Sequence, residues 1–311
     1  MKLRAGVLRS LRAFLDERGV VEVTTPVLGR TTVPDLHIDS LRIKGRPGGW
    51  LQTSPEYFMK RMLGAGAGPI YQLGPVFRAG ERGDRHNVEF TLLEWYRPDL
   101  SLEDLMHETV ALITRAFEQG GVAPLPVVEH SYRELFEAHF GINPHAAPLT
   151  ELVALAASHC PESVGHIETF DDDATRNDYL DVLFTHTIEP ALSGLTFVVD
   201  FPATQAALAT TAESGGDRVA RRFECYVGSM ELANAYDELR DAAMLRKRFE
   251  QQNAWRKRRG KSTVDIDENL LDAVGRMPRA SGIALGVDRL VMAIAGAGSI
   301  DEVIPFSSPR L

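Results

Sequence analysis

Two runs, Ile70–Arg78 and Val88–Tyr96, bracket the polar stretch AGERGDRHN. Both runs are rich in β-branched and aromatic residues, which predicts strands, and the Gly-rich charged stretch between them predicts a turn. A hairpin of this kind must enter a sheet, and the strand period of two then sorts its side chains. Phe90, Leu92, Glu94 and Tyr96 share one face. That face offers a flat ring, a carboxylate and a phenol, with Arg78 at the end of the neighbouring strand. Such a set can stack a base, hold an ammonium group and clamp a phosphate. It is equally compatible with a surface hairpin whose exposed face is mixed.

A chain of 311 residues can bury a substantial core, and 44% hydrophobic with 25% charged residues is ordinary for a soluble globular protein. The net charge of -9 argues against an extended nucleic-acid surface, although it permits a local basic patch. Two cysteines, Cys160 and Cys225, exclude a disulfide framework and a Cys-rich zinc site, and fit a reducing cytoplasm. No apolar run reaches membrane-spanning length, and Arg4, Arg9 and Arg12 interrupt any secretory segment.

Apolar spacing predicts a helix over residues 3–18, stopped by Gly19, and then a strand over Val20–Thr25 that ends at Pro26. Gly29–Asp39 reads as a mobile loop in which Asp35 and His37 are lid residues or ordinary loop polars. In Thr53-Ser54-Pro55-Glu56, proline opens a helix, Thr53 or Ser54 caps it, and Glu56 suits the helix dipole. Ser101 begins a helix whose buried face is Leu102, Leu105, Met106, Thr109, Ile113, Ala116 and Phe117. Further helices are expected from Ser131, over Thr150–His159 and over Asp173–Ile188, and a buried strand over Leu195–Phe201. All of these read as packing. The adjacent His159 and Cys160 lack further ligand spacing and do not suggest a metal site.

The second chemical centre is Arg221–Asp241, RRFECYVGSMELANAYDELRD. Phe223–Val227 and Glu231–Tyr236 read as strands around Gly228-Ser229. Glu224 and Glu231 flank the turn, where they either converge on a cation or face solvent; Asn234, Tyr236 and Glu238 share a face if the chain stays extended. Leu245, Phe249 and Trp255 suggest a helix bearing the basic residues between Arg246 and Lys261, a solvated face or a dock for an acidic partner. Near the C-terminus, SGIALGVDRLVMAIA is a Gly-spaced strand, Asp288-Arg289 and an apolar helix.

Three of these stretches, in this order, resemble the motifs of class II aminoacyl-tRNA synthetases. RGVVEVTTPVL resembles motif 1, FR with RHNVEFTLLEWY resembles motif 2, and SGIALGVDRL resembles motif 3. FExxxGxxELxNxxxEL and TSPE narrow the resemblance to the lysyl branch. It implies one α+β catalytic domain over residues 1–311, with a mainly antiparallel sheet flanked by helices, and a homodimer formed through motif 1. ATP and Mg2+ are implied as substrate and cofactor. Arg78 and Arg289 are the implied catalytic residues. Arg78 would contact the α-phosphate, Phe90 and Arg289 would sandwich adenine, and Ala79, Gly80, His86, Asn87, Leu232 and Gly286 would border the nucleotide. Glu224 and Glu231 would hold the metal, Glu231 also meeting ATP. Ser54, Pro55, Glu56, Glu94, Tyr96, Asn234, Tyr236 and Glu238 would surround the amino acid. Several carboxylates around one pocket favour a cationic substrate, lysine.

Motif 1 starts with the chain, leaving no room before it for the anticodon-binding domain of lysyl-tRNA synthetases. That arrangement is similar to the elongation factor P–lysine ligase family, which activates lysine or (R)-β-lysine as an adenylate and transfers it to a lysine side chain of elongation factor P, not to tRNA. Ala284 stands where that family has alanine and the tRNA synthetases have glycine. In one respect the chain departs from the synthetase pattern. The motif 2 acid expected two residues after the arginine is Gly80, and Glu81 follows one place late, which reverses its face unless a bulge restores it. A stand-alone paralogue making a small amide, or a non-catalytic lysine- or nucleotide-binding module, are the alternative readings.

Overall fold

The computed structural model describes residues 1–46, 48–165 and 167–307. Two compact units emerge, Met1–Pro124 with Asp237–Leu311, and Leu125–Tyr236. No helix among the described residues is long and apolar enough to cross a membrane.

In the first unit the antiparallel pair Ile70–Phe77 and Glu89–Pro98 is the centre of the sheet. Ala280–Gly286 pairs antiparallel on its other side, and Val21–Glu22 runs parallel to the start of Ile70–Phe77. Register places Ala284 opposite Glu94 and Gly282 opposite Tyr96. Leu93 and Trp95 are fully buried on one face, where Trp95 donates to Glu108 of helix Leu102–Gln119 at 3.0 Å. That helix buries the expected face, with Leu112 added, behind a Ser101 cap.

The N-terminal helix is Lys2–Asp16, and it buries Gly6, Val7, Ser10, Leu11, Phe14 and Leu15. The strand expected over Val20–Thr25 shrinks to Val21–Glu22. One more backbone bond, Val23 to the Tyr71 carbonyl, follows at 2.8 Å. The Gln72 side chain then takes over as acceptor for the Thr25 amide at 2.7 Å, and Pro26 has no donor to continue the ladder. The helix after TSPE is Glu56–Gly64 with Pro55 at its N-cap, so it starts one place later than expected; Ser54 Oγ still accepts the Glu56 amide at 3.0 Å.

The second unit has strands ordered Met230–Asp237, Asp217–Val227, Leu195–Pro202 and Val127–Ser131, with Thr211–Ser214 also on Asp217–Val227. Neighbours are antiparallel except Val127–Ser131, which is parallel to Leu195–Pro202. Tyr132, Phe136, Phe184 and Phe201 stack in its core at 4.7–5.4 Å between rings. The capping box of Ser131 and Glu134 is present. The helix expected to Ile188 is α-helical only over Asp173–Leu183 and widens to a π turn at Phe184–Ile188. The architecture is thus α+β, mainly antiparallel sheet flanked by helices.

Asp288 ties three elements of the first unit. It is 2% exposed, pairs with Arg4 of the N-terminal helix, and accepts the Thr91 amide at 2.7 Å. Arg4 also donates to Thr91 Oγ1 at 2.7 Å. Removing one partner of a buried pair strands the other, so Asp288→Ala should lower unfolding free energy by about 3 kcal/mol in denaturant titration. A loss below about 1 kcal/mol would show that this knot is not a stabilising contact.

Candidate active site

The even face of Glu89–Pro98 behaves as its period predicts. Glu94 and Tyr96 point together, Tyr96 Oη donating to Glu94 Oε1 at 2.7 Å. Ser54 Oγ donates to Glu94 Oε2 at 2.6 Å, so both carboxylate oxygens are engaged. Glu56 and Glu238 join this cluster through Lys60, whose Nζ lies 2.5 Å from Glu56 and 2.6 Å from Glu238. Lys60 is 1% exposed. A Cβ on Gly282 would lie 2.3 Å from Glu238 Oε1 and 2.4 Å from the Tyr96 ring, so only glycine fits there. Ala284 is half-buried, in register beside Glu94.

Burial dominates the electrostatics. It pushes the Glu94 carboxyl up to about 7, with the Glu56 charge adding to the rise. It pushes Glu238 up to about 8 against the pull of Lys60, with Glu56 and Glu94 adding to the rise. Burial by itself would lower Lys60, but Glu238 and Glu56 outweigh it and hold the ammonium charged. Burial, with the neighbouring carboxylates adding to it, raises the Tyr96 phenol, which stays a donor.

Arg78 follows the strand Ile70–Phe77, its amide bonded to the Val88 carbonyl at 2.9 Å. Its guanidinium stands 5.1 Å from the Phe90 ring centre and donates to the Thr53 carbonyl at 3.4 Å. Glu81 approaches the same guanidinium at 3.4 Å. Gly80, at φ +79°, takes the left-handed turn that lets the late acid reach back. Glycine at the acid's usual place is therefore a turn residue, and Glu81 faces Arg78 without a strand bulge.

Gly83 and His86 pair at the tip of the motif 2 loop. Arg289 donates to the Arg85 carbonyl at 3.3 Å and contacts His86 Nε2. Asn87 is buried and donates to the Glu89 carbonyl at 2.6 Å. The first unit thus brings Arg289 to His86 at the loop, and Arg78 to Phe90 at the strand ends. The Ala79 amide bonds to the Asp39 carbonyl at 2.7 Å. Asp35 closes a turn on the His37 amide at 2.7 Å, and Arg256 and Lys261 grip Asp39 at 3.1 and 3.0 Å. Part of the basic stretch after Arg246 therefore serves this loop.

In the second unit, Glu224 pairs with Asn234 and Tyr226 with Glu231. Between Cys225 and Tyr226 the register slips, leaving Leu232 as an extra residue. That bulge reverses parity along Met230–Asp237, so Glu231 joins the face of Asn234 and Tyr236. Glu224, Glu231, Asn234 and Tyr236 are all half-buried, whereas Phe223, Cys225, Ala233 and Ala235 are buried. Burial and the charge of Glu231 raise the Glu224 carboxyl against the pull of Arg222. Asn234 Oδ1 is buried with no hydrogen-bond partner among the described residues. Two carboxylates on one face are oxygen donors of the kind Mg2+ takes, with Arg222 and the Tyr226 hydroxyl already donating to the two oxygens of Glu224; no group of three or more metal-ligating side chains gathers among the described residues.

Three residues here were not singled out by sequence. Lys60 stands one helical turn after Glu56, a spacing that signals an i,i+4 pair. Arg222 stands two before Glu224 and shares its face; it binds Glu224, donates to the Gln205 carbonyl at 3.0 Å, and covers the Phe201 ring at 4.4 Å. Gly282 had only the glycine spacing of motif 3 as a signal.

The profile of the family described as tRNA synthetases class II (D, K and N) matches residues 1–310. Proteins named elongation factor P–(R)-β-lysine ligase from Salmonella paratyphi B, Salmonella heidelberg and Salmonella schwarzengrund are 41% identical over 99% of this chain and 94% of their own length. With its motif 2 hairpin, motif 3 strand and buried carboxylates in these positions, the chain belongs to the class II aminoacyl-tRNA synthetase family of the aspartyl, lysyl and asparaginyl group.

Proposed function

We propose that this protein activates lysine, preferably (R)-β-lysine, with ATP and transfers it to a lysine side chain of elongation factor P. The carrying observation is the cluster of Glu56, Glu94 and Glu238 gathered by Lys60 and Tyr96, Glu94 and Glu238 buried and Glu56 half-buried, a set of carboxylates suited to a substrate's ammonium groups. The ligase relatives support the acceptor, since their identity runs the length of the chain. In the first step a substrate carboxylate oxygen attacks the α-phosphorus of ATP and pyrophosphate leaves. In the second the acceptor amine attacks the acyl carbon, loses a proton, and AMP leaves with an amide formed.

Arg78 stabilises charge on the α-phosphate, and such a donor typically contributes about 10²–10³ in rate. Phe90 stacks the adenine and Arg289 covers its other face. His86, Asn87, Gly286, Leu232 and the Ala79–Gly80 backbone border the nucleotide. Ser54, Pro55, Glu56, Glu94, Tyr96, Asn234, Tyr236 and Glu238 receive the amino acid, and the unpartnered Asn234 Oδ1 supports that role. Glu224 and Glu231 would hold Mg2+, which neutralises phosphate charge when bound. The exposed apolar Val21, Val27 and Leu28 of motif 1 support a homodimer, and a cytoplasmic setting fits ATP and this partner.

Three outcomes test this reading. Glu94→Ala leaves an ammonium without its partner at a cost of about 2–5 kcal/mol, so lysine-dependent ATP–pyrophosphate exchange should fall at least about 30-fold. Full exchange with intact lysine selectivity would remove the pocket from the reading. Labelled lysine isomers incubated with enzyme, ATP, elongation factor P and bulk tRNA should label the protein; efficient tRNA charging at physiological salt overturns the acceptor. Finally, the Ala284 methyl sits beside Glu94, where it can bias the position of the α- or β-ammonium. Ala284→Gly should raise kcat/KM for α-lysine relative to β-lysine by about 10–200-fold, the range one methyl supplies. An unchanged isomer ratio would falsify this role for Ala284 and leave the ligase reading standing.

A further inference from the structure

Lys60 is the unexpected member of the pocket. It is a primary ammonium, 1% exposed, placed among the carboxylates that would otherwise receive the substrate's ammonium groups. It lies one turn into helix Glu56–Gly64, so its backbone is held by that helix and its reach is set by the i,i+4 pair with Glu56. From the other side Glu238 meets it, anchored by its amide bond to the Ala280 carbonyl at 3.0 Å and admitted by the missing side chain of Gly282. Glu94 takes no hydrogen bond from Lys60; Ser54 and Tyr96 occupy its oxygens instead.

We propose that Lys60 is a positioning residue, a built-in counter-ion that fixes Glu56 and Glu238 and sets the pocket's charge to match an amino acid with two ammonium groups. Three carboxylates against one ammonium leave an excess of two negative charges, and a lysine isomer supplies two positive ones. The inference rests on the lysine reading of this same site. The charged and titratable groups that face one another here are Glu56 and Lys60 from the helix, Glu94 and Tyr96 from the strand, and Glu238. Protons answer the same excess: burial, with the neighbouring acids, holds Glu94 at about 7 and Glu238 at about 8. An incoming diammonium ligand displaces those protons. The sign follows: carboxylates with raised pKa are protonated below it, so affinity weakens as pH falls through about 8 to 7 and strengthens as pH rises.

The test uses the full-length enzyme. In Lys60→Met the positive charge is gone, both acids should rise further, and the acid limb of the pH profile of lysine-dependent exchange (kcat/KM) should move up by about one unit. Glu56→Gln with Lys60→Met removes one charge of each sign, and the limb should return toward the wild-type position. A purely packing role lowers activity at every pH and leaves the limb in place, and that result overturns the proposal. Should Lys60→Met fail to fold, wild type decides. Calorimetry of lysine binding at pH 7, in buffers of different ionisation heat, should show net proton release; binding without release overturns the proposal while the ligase reading stands. Absence of any lysine-dependent exchange in wild type overturns the ligase reading itself, and this proposal with it.

Discussion

The pleat of Glu89–Pro98 is the constraint on which the first unit depends. Successive side chains of a strand must point to opposite faces. Leu93 and Trp95 are therefore committed to packing, closed by the Trp95 bond to Glu108, and Glu94 and Tyr96 are committed to the opposite side. Every partner in the cluster is placed by reference to that face. Ala284 and Gly282 reach it by register, Ser54 by the turn before a helix, and Lys60 by standing one turn into that helix. Moving the strand by one residue would exchange a tryptophan for a carboxylate in the core, so register and chemistry are fixed together.

Burying like charges side by side is costly, and the cluster meets that cost with short-range partners. Glu94 has two neutral hydroxyl donors, and Glu56 and Glu238 share an ammonium. The two arrangements differ in consequence. Hydroxyl donors leave net charge unchanged, whereas Lys60 removes one negative charge from the pocket.

In the second unit the informative features are interruptions of the period. A slip beside Cys225 brings Glu231 to the face of Asn234. On the other edge of the same strand, Arg221 and Arg222 stand opposite Asp200, which takes φ +56°. There Arg222 lies over Phe201 and within reach of Glu224. Bulges bend a strand and re-aim single side chains, and here they gather an arginine and two glutamates around one segment.

The sequence by itself determined the elements whose signals are local. The alternation of EFTLLEWY, the glycine spacing of SGIALG and the order of three motifs were enough for the α+β class, the hairpin and most of the candidate residues. Contacts between distant segments were decided by tertiary structure. Lys60 carries only the local i,i+4 spacing from Glu56, and its second partner, Glu238, comes from far along the chain. Gly80 reads as a lost acid until its left-handed backbone turns Glu81 onto Arg78. The strand over Val20–Thr25 reads as full length until Gln72 replaces its ladder. In each case the deciding partner is either remote in sequence or a backbone angle, and residue types in a row carry neither.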